Sequence, residues 1–336
     1  MNNKKILIAT GIFPPDIGGP AEYAKNLYDE FMARGHKVGV LTYKLEKRLP
    51  AGIRHTLYFL KMAANVYGTD LIIALDTFST GLPAVLAAKI FGKKIIVRVG
   101  GDFLWENYVE STGNLITLKD FYGNIPKLSF KQKIIRLLSG FVFKNCAYLV
   151  FSTEWQKKMI EKNYGIGDKK AVIIENFYGD RIASFEPKEK NFIFAGRLIK
   201  LKNLEMLKNA FEEAKKEDKN IKLEIISGIS HEELIKKLQH CYAAILPSLS
   251  EISPNFILDA IRAEKPFIMT KESGFSDKLK ELGIFIDPLS REDIKDKILS
   301  LSKDDVYKLY KERITNFRFG HYWKEIADEF LSVYNL

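Results

Sequence analysis

Residues 192–207 read FIFAGRLIKLKNLEML, and this stretch decides the fold class. The apolar run Phe192–Ala195 predicts a buried strand, which ends at Gly196, and an amphipathic helical pattern begins at Leu204. The same order of short apolar run, loop and helix recurs along the chain. Apolar strands that alternate with helices are typical of a parallel sheet covered on both faces. The sequence therefore predicts a doubly wound α/β fold.

The predicted strands fall into two groups, separated by the polar, aperiodic residues 178–190. The first group is Lys5–Ala9, Lys37–Thr42, Leu71–Leu75, Ile95–Val99, Leu149–Ser152 and Val172–Glu175. The second is Phe192–Ala195, Leu223–Ile226, Ala243–Leu246, Phe267–Thr270 and Ile284–Ile286. A chain of 336 residues is long enough to form two cores. We expect two Rossmann-like domains, 1–182 and 183–318, that face each other across a cleft, and a closing helical segment, 319–336.

Composition narrows the class of protein. The chain is 46% hydrophobic, which excludes general disorder, and it has no apolar run of membrane-spanning length. Its two cysteines, Cys146 and Cys241, are too few for a disulfide framework and are expected in the core. The short apolar run near the N-terminus indicates a first strand rather than a signal peptide. These features predict a cytoplasmic protein.

The excess of positive charge lies entirely in one half of the chain. The formal net charge is +10; residues 1–185 contain 26 Lys and Arg against 16 Asp and Glu, and residues 186–336 contain 26 of each. Such asymmetry indicates either an anionic partner for the first half or an ordinary lysine-rich surface.

Within that half, residues 118–144 are basic and rich in aromatic side chains. We expect the apolar positions Ile134, Ile135, Leu137, Leu138 and Val142 to face the core. The cationic face would then be free to meet anionic lipid.

Three loops that follow predicted strands carry the residues most suited to chemistry, because ligands of doubly wound folds bind at the carboxyl ends of strands. In the first loop, TGIFPPDIGGPAEYAKNL, Gly18 and Gly19 let the backbone approach an anion at a helix start marked by Pro20. In the second, Arg197 and Lys202 stand five positions apart and suit a diphosphate. Each loop alone also fits a plain structural turn or an ordinary basic surface.

The third loop, LPSLSEISPNFILDAIRAEKPFI, holds Glu251 and Asp259 eight positions apart. Ser253 is predicted to cap a helix whose first residue is Pro254. Both carboxylates could accept hydrogen bonds from sugar hydroxyls, although a capped helix with surface acids fits the pattern as well.

Together these loops resemble glycosyltransferase family 4, retaining enzymes of the GT-B fold, over almost the whole chain. The matching motifs are the Pro14-Pro15 and Gly18-Gly19 loop, Gly35-His36-Lys37-Val38, Gly196-Arg197, Lys202-Asn203 and Pro247-Ser248-x-x-Glu251. The resemblance implies that Arg197 and Lys202 bind the donor diphosphate, that Glu251 holds the donor sugar and that Asp259 holds the ribose. Gly18, Gly19, Gly196, Ser253 and Asn255 would complete the donor site, and the closing helix would cross back to the first domain.

The chain departs from that family at four places. Asp259 replaces the usual Glu, and residues 252–256 (ISPNF) replace a Gly-Phe-Gly segment. The segment that supplies the family's donor-touching histidine, residues 98–106, contains none. Asp102 is the polar group best placed to substitute, or else it is a turn residue that caps the next segment. A strand–helix unit after Gly228 is missing from the second domain.

The resemblance implies transfer of a sugar from a nucleotide-diphosphate sugar to a glycan or lipid-linked acceptor, in cell-envelope polysaccharide synthesis, with no cofactor and no metal. The five histidines show no metal-ligand spacing, and there is no Asp-x-Asp motif. An epimerase or phosphorylase of the same fold, or a non-catalytic anion-binding protein, remains an alternative; no nucleic-acid-binding motif is present. The anionic partner of the basic half would be a membrane surface, with the protein peripheral on the inner membrane face.

Overall fold

The computed structural model describes residues 3–43, 45–167 and 170–335, which form two compact units. The first unit is Met1–Leu104, Lys127–Glu175 and Tyr322–Leu336; the second is Trp105–Pro126 and Asn176–His321. The units therefore divide at other residues than the predicted 182/183 and 318/319. The largest difference is Trp105–Pro126, which belongs to the second unit although it interrupts the sequence of the first.

The first unit is built on a six-stranded parallel sheet in the order β2-β1-β3-β4-β5-β6. Its strands are β1 (Lys5–Ala9), β2 (Lys37–Leu41), β3 (Leu71–Ala74), β4 (Ile95–Val99), β5 (Tyr148–Phe151) and β6 (Ala171–Ile173). Its helices are α1 (Gly19–Ala33), α2 (Ala51–Val66), α3 (Gly81–Ile90), α6 (Phe130–Asn145), α7 (Glu154–Tyr164) and α14 (Trp323–Asn335), together with a 3-10 turn, Leu45–Arg48. Helix α14 packs on α1, where the Trp323 and Tyr23 rings meet edge to face at 5.0 Å.

The second unit is built on a five-stranded parallel sheet in the order β11-β10-β9-β7-β8. Its strands are β7 (Lys190–Ala195), β8 (Ile221–Ile226), β9 (Ala243–Leu246), β10 (Phe267–Thr270) and β11 (Ile284–Ile286). Its helices are α5 (Leu118–Gly123), α8 (Leu204–Glu217), α9 (His231–His240), α10 (Asn255–Arg262), α11 (Ser276–Leu279), α12 (Arg291–Leu301) and α13 (Asp304–Asn316), with a 3-10 turn, Lys200–Lys202. Helix α4 (Phe103–Thr112) begins in the first unit and continues in the second.

The predicted α/β class with two doubly wound sheets is confirmed. All eleven predicted strands are present, each within two residues at either end. They form because their side chains are apolar on both faces; β3, β4, β9 and β10 are buried at every position. Strand β8 lies at the edge of its sheet, and the chain leaves it through α9 to reach β9 on the far side of β7.

The expectation for α6 is wrong at two of its five apolar positions. Ile135 and Val142 are buried as expected, but Ile134 is 40% exposed and Leu137 is 72% exposed. Because successive residues of a helix point about 100° apart, one run of apolar residues cannot face the sheet at every position. Cys146 and Cys241 are buried and free, as predicted. In the described part of the chain, no helix combines the length and the apolar character needed to cross a membrane.

Candidate active site

The loops that follow β7, β9 and β10 share the carboxyl edge of the second sheet. The first two loops, together with α10, carry seven of the ten predicted site residues. Parallel strands place their carboxyl ends at one edge, so residues far apart in sequence converge there. The first two loops supply Arg197, Lys202 and Glu251, and Asp259 follows on α10. The sequence predicts this convergence, and the structure gives its contacts.

Lys202 and Glu251 form an ion pair at the centre of this edge. Lys202 Nζ lies 2.5 Å from Glu251 Oε1, and both side chains are mostly buried, with 21% and 11% of their areas exposed. Separating the two side chains would leave each charge partly buried without its partner, which is energetically costly. The pair therefore holds both side chains in position. Gly196 lies beside it: a Cβ built at Gly196 would stand 3.7 Å from Lys202 Cε.

The backbone around the pair is anchored on both sides. Asn203, which adopts a left-handed conformation with φ 55°, donates from its buried amide to the carbonyls of Pro247 and Pro288. Glu251 N donates to the Glu272 carbonyl at 2.9 Å, and Gly274 N donates to the Glu251 carbonyl at 3.0 Å. The loops after β7, β9 and β10 thus hold one another, and the charged side chains emerge from rigid backbone.

Arg197 is the exposed cation of the site. Its side chain is 70% exposed, and its Nη2 lies 3.7 Å from Oε2 of Glu106 on α4. An ion pair this exposed contributes little to stability. The guanidinium is therefore available to an anionic ligand at small energetic cost.

Segment Trp105–Pro126 supports the loop between Arg197 and Lys202. Glu110 accepts a hydrogen bond from the Leu201 N–H at 3.1 Å, and its carbonyl accepts one from Lys200 Nζ at 3.0 Å. Leu118 N donates to Ser250 Oγ at 2.9 Å, just before Glu251. Sequence reasoning missed this role of Glu110, and the signal available was an acid standing in an otherwise basic half of the chain.

Asp259 has partners of its own, separate from the Lys202–Glu251 pair. Its carboxylate lies 2.8 Å from His231 Nε2 and accepts a hydrogen bond from Arg262 Nη1 at 2.9 Å. His231 is the first residue of α9, whose start is fixed by a capping box between Ser230 and Glu233. Sequence reasoning set His231 aside because it tested the histidines only for metal spacing; the Ser-x-x-Glu capping pattern could have placed it at a helix start.

The predicted cap of α10 is wrong. The helix begins at Asn255, and its N-cap is Pro254, with no side-chain capping bond. Ser253 instead has a buried hydroxyl without a hydrogen-bond partner among the residues that the structure describes. Proline has no N–H to satisfy, so the helix start needs one capping acceptor fewer. Asn255 accepts a hydrogen bond from the Asn176 amide at 2.9 Å, which orients its side chain.

The remaining predicted residues belong to the first unit. Gly18 is the N-cap of α1 with φ 142°, a conformation that favours glycine, and Gly19 is the first helical residue. Asp102 is buried and directly precedes α4, a position where aspartate often caps a helix. Among the described residues, no group of three or more His, Cys, Asp and Glu is placed to hold a metal ion.

Residues 212–318 match the sequence model of the family described as glycosyl transferases group 1. This region contains His231, Glu251 and Asp259, and it begins after Arg197 and Lys202. The structure is similar to sucrose-phosphate synthase from Thermosynechococcus elongatus, with a TM-score of 0.74 over 99% of this chain and 98% of that chain. Residues 212–318 thus match a glycosyltransferase domain, and the chain has the GT-B fold.

Other solved structures show how widely the fold is shared. WaaG, a glycosyltransferase involved in lipopolysaccharide biosynthesis, matches the structure with a TM-score of 0.67 over 97% of this chain and 99% of that chain. A putative UDP-N-acetylglucosamine 2-epimerase from Listeria monocytogenes matches it with a TM-score of 0.60 over 98% and 95%. Sequence identity to these three proteins is 13%, 11% and 10%, so the likeness shows the fold alone. No curated protein matches the chain in sequence.

Proposed function

We propose that this protein is a glycosyltransferase that moves a sugar from a nucleotide-diphosphate sugar, bound by the second unit, to a glycan or lipid-linked acceptor, with retention of the anomeric configuration. The observation that carries the proposal is the fixed Lys202–Glu251 pair beside Gly196, with the exposed Arg197 in the same loop. The two cations Arg197 and Lys202, at the carboxyl edge of a doubly wound sheet, suit a diphosphate.

Arg197 and Lys202 would stabilise the diphosphate as it leaves, because that group gains the largest negative charge in the reaction. Preorganised cations supply this stabilisation without reorganisation at the moment of reaction. Glu251 would hold Lys202 in place and accept hydrogen bonds from donor-sugar hydroxyls. Two placed cations at the diphosphate are the reason for proposing transfer without a metal or another cofactor.

Asp259 is proposed to bind the ribose, now with His231 and Arg262 fixing its carboxylate. The unpartnered hydroxyl of Ser253 and the backbone at Gly196 and Asn255 would contact the donor phosphates. In the first unit, Gly18 and Gly19 offer backbone amides at the start of α1, and Asp102 would orient a hydroxyl of the reacting sugars. Retention would follow if the leaving phosphate assists deprotonation of the acceptor on the same face of the sugar.

A thermal-shift screen against UDP-, GDP- and ADP-sugars tests the donor. A ligand at 100 times its dissociation constant stabilises a protein by about 2.7 kcal/mol, which is a measurable shift in melting temperature. We expect one nucleotide series to stabilise the wild type in the presence of EDTA, and a variant carrying both Arg197→Ala and Lys202→Ala to respond to none.

The reaction itself is tested by incubating the responding nucleotide-sugar with glycan and lipid-linked acceptors and reading the anomeric configuration of the product by NMR. Consumption of the donor without an acceptor, by epimerisation or by phosphorolysis, would favour the other enzyme classes of this fold. An inverted product, or a requirement for metal, would contradict the proposed mechanism.

A further inference from the structure

Helices α2, α3 and α6 form a continuous outer layer on the first unit. Helix α2 packs on α3, and α3 packs on α6. The crossovers that contain them, from β2 to β3, β3 to β4 and β4 to β5, all run in the same direction across the sheet. Because such crossovers are right-handed, their helices lie on one face of the sheet. We call this layer the α2–α3–α6 face.

The α2–α3–α6 face carries an unusual number of exposed apolar side chains. Phe130 is 80% exposed, Leu137 72% and Ile90 66%. The three helices, with Phe91 directly after α3, expose nine large apolar side chains. They are Ile53, Leu57, Leu60, Leu86, Ile90, Phe91, Phe130, Ile134 and Leu137. Exposed apolar residues that occur singly need no explanation, but a group of this size marks an interaction surface.

Their spacing places them in stripes that point away from the sheet. On α6 the stripe is Phe130, Ile134 and Leu137, at intervals of four and three residues, and the opposite side of the helix is buried through Ile135 and Val142. The stripe on α2, Ile53, Leu57 and Leu60, has the same spacing. Each helix is therefore apolar on two sides, of which the sheet covers only one.

The charges of the α2–α3–α6 face are all positive. The three helices contain no Asp and no Glu. Lys131, Lys133 and Lys144 on α6 form no ion pair within the described structure. By contrast, α1 and α14 carry acids as well as bases, such as Glu22 and Lys25 on α1 and Lys324 and Glu325 on α14.

We propose that the α2–α3–α6 face binds the surface of a bilayer that contains anionic lipid. Lysines attract anionic headgroups, at about 1 kcal/mol for each cation near the surface, and the apolar stripes can enter the boundary between headgroups and acyl chains. A helix layer without a single acid fits a surface of uniform negative charge. The inference rests on the proposed function for its purpose, since a lipid-linked acceptor would be presented at such a surface.

Flotation with lipid vesicles tests this surface in the absence of any donor. One set of vesicles is phosphatidylcholine alone, and the other is equal parts phosphatidylcholine and phosphatidylglycerol. At about 0.1 M salt, where the screening length is about 10 Å, we expect the full chain to bind the anionic vesicles at least tenfold more tightly than the neutral ones.

Two double variants separate charge from apolar insertion. Lys131→Glu with Lys133→Glu should weaken binding to anionic vesicles at least tenfold, and Phe130→Ser with Leu137→Ser should weaken it at low and at high salt. The control for the charge variant is Lys208→Glu with Lys215→Glu on α8, and the control for the apolar variant is Met32→Ser with Leu309→Ser. Both controls alter exposed residues outside the face and should bind vesicles like the wild type.

Equal binding to both kinds of vesicle, no binding to either, or equal loss in the controls would overturn the proposal. If Phe130→Ser with Leu137→Ser instead dissolves a dimer detected by light scattering, and no variant or wild type binds vesicles, the face joins two copies of the chain. Nucleotide-sugar thermal shifts of the same variants, measured without vesicles, report on the donor site separately. If no nucleotide-sugar binds, the vesicle experiment therefore still tests the proposed lipid-binding face.

Discussion

The two units use the same parallel architecture, but they place their positive charges differently. In the first unit, Lys131, Lys133 and Lys144 stand on an outer helix among exposed apolar side chains. In the second unit, Lys202 and Arg197 stand on loops at the carboxyl ends of strands, each beside an acid. The net charge of +10 comes from the half of the chain that contains the first arrangement. An excess of cations on an outer helix thus indicates a surface that binds an anionic partner. A cation paired with an acid in a fixed loop indicates a ligand-binding site.

The strongest test of that comparison removes the cations of the second unit. We expect Lys202→Ala and Arg197→Ala each to lower kcat at least a hundredfold, the usual scale for losing one preorganised transition-state contact. Lys208→Ala, on the exposed side of α8 in the same unit, is the matched control. Turnover measured with the responding nucleotide-sugar would refute the assignment if the two site variants kept the rate of the control.

A second test asks whether the first unit contributes chemistry as well as surface. Asp102→Ala should lower turnover at least tenfold without unfolding the protein, because a positioned acid–base or hydrogen-bonding group contributes on this scale or more. Asp102→Asn is the control, since asparagine caps helices about as well as aspartate. If Asn restores full turnover, Asp102 is a capping residue and its charge has no part in the reaction.

A smaller effect is expected at Asp259. Asp259→Asn removes a charge that His231 and Arg262 hold in place, and we expect donor affinity to fall about fivefold, the equivalent of one hydrogen bond. The dissociation constant from calorimetric titration checks this. Asp296→Asn on the exposed side of α12 should leave the constant unchanged. Loss of kcat at constant affinity would mean that Asp259 acts on the reacting sugar instead.

The smallest expected effect is a pH dependence of stability in the first unit. Burial lowers the pKa of His36 and of His55 below the ordinary value of 6.5. The unfolded chain takes up protons near pH 6.5 that the folded protein does not, so the free energy of unfolding falls as the pH drops below 6.5. The slope is at most about 1.4 kcal/mol per pH unit for each histidine.

Urea unfolding at several pH values measures this slope. His36→Gln should make the decline between pH 6.5 and more acidic values shallower, and adding His55→Gln should flatten it further. An unchanged slope in the double variant would show that other groups control acid stability.

The strands and the converging loops could be predicted because their signals are local. An apolar run such as Ile95–Val99 is buried on both faces wherever it lies in the sheet, and the carboxyl edge then follows from parallel topology.

What could not be predicted depends on partners distant in sequence. Leu137 looks like a core residue until the packing of α6 shows which side of the helix is covered. The role of His231 follows from its contact with the Asp259 carboxylate, and the role of Glu110 follows from its hydrogen bond with the Leu201 N–H. The cap of α10 was predicted wrongly because a serine and a proline in sequence allow two helix starts that differ by one residue.

The interruption of each unit by the other has a consequence for how the protein folds. The first unit needs Tyr322–Leu336, and those residues follow nearly the whole second unit in sequence. Contacts between α1 and α14 therefore close a very long loop, which slows folding through the entropy of closure. During synthesis, the side of α1 that packs against Trp323 stays uncovered until the last part of this chain has left the ribosome. Until then Tyr23 and its neighbours are surfaces on which an incomplete chain can associate with another.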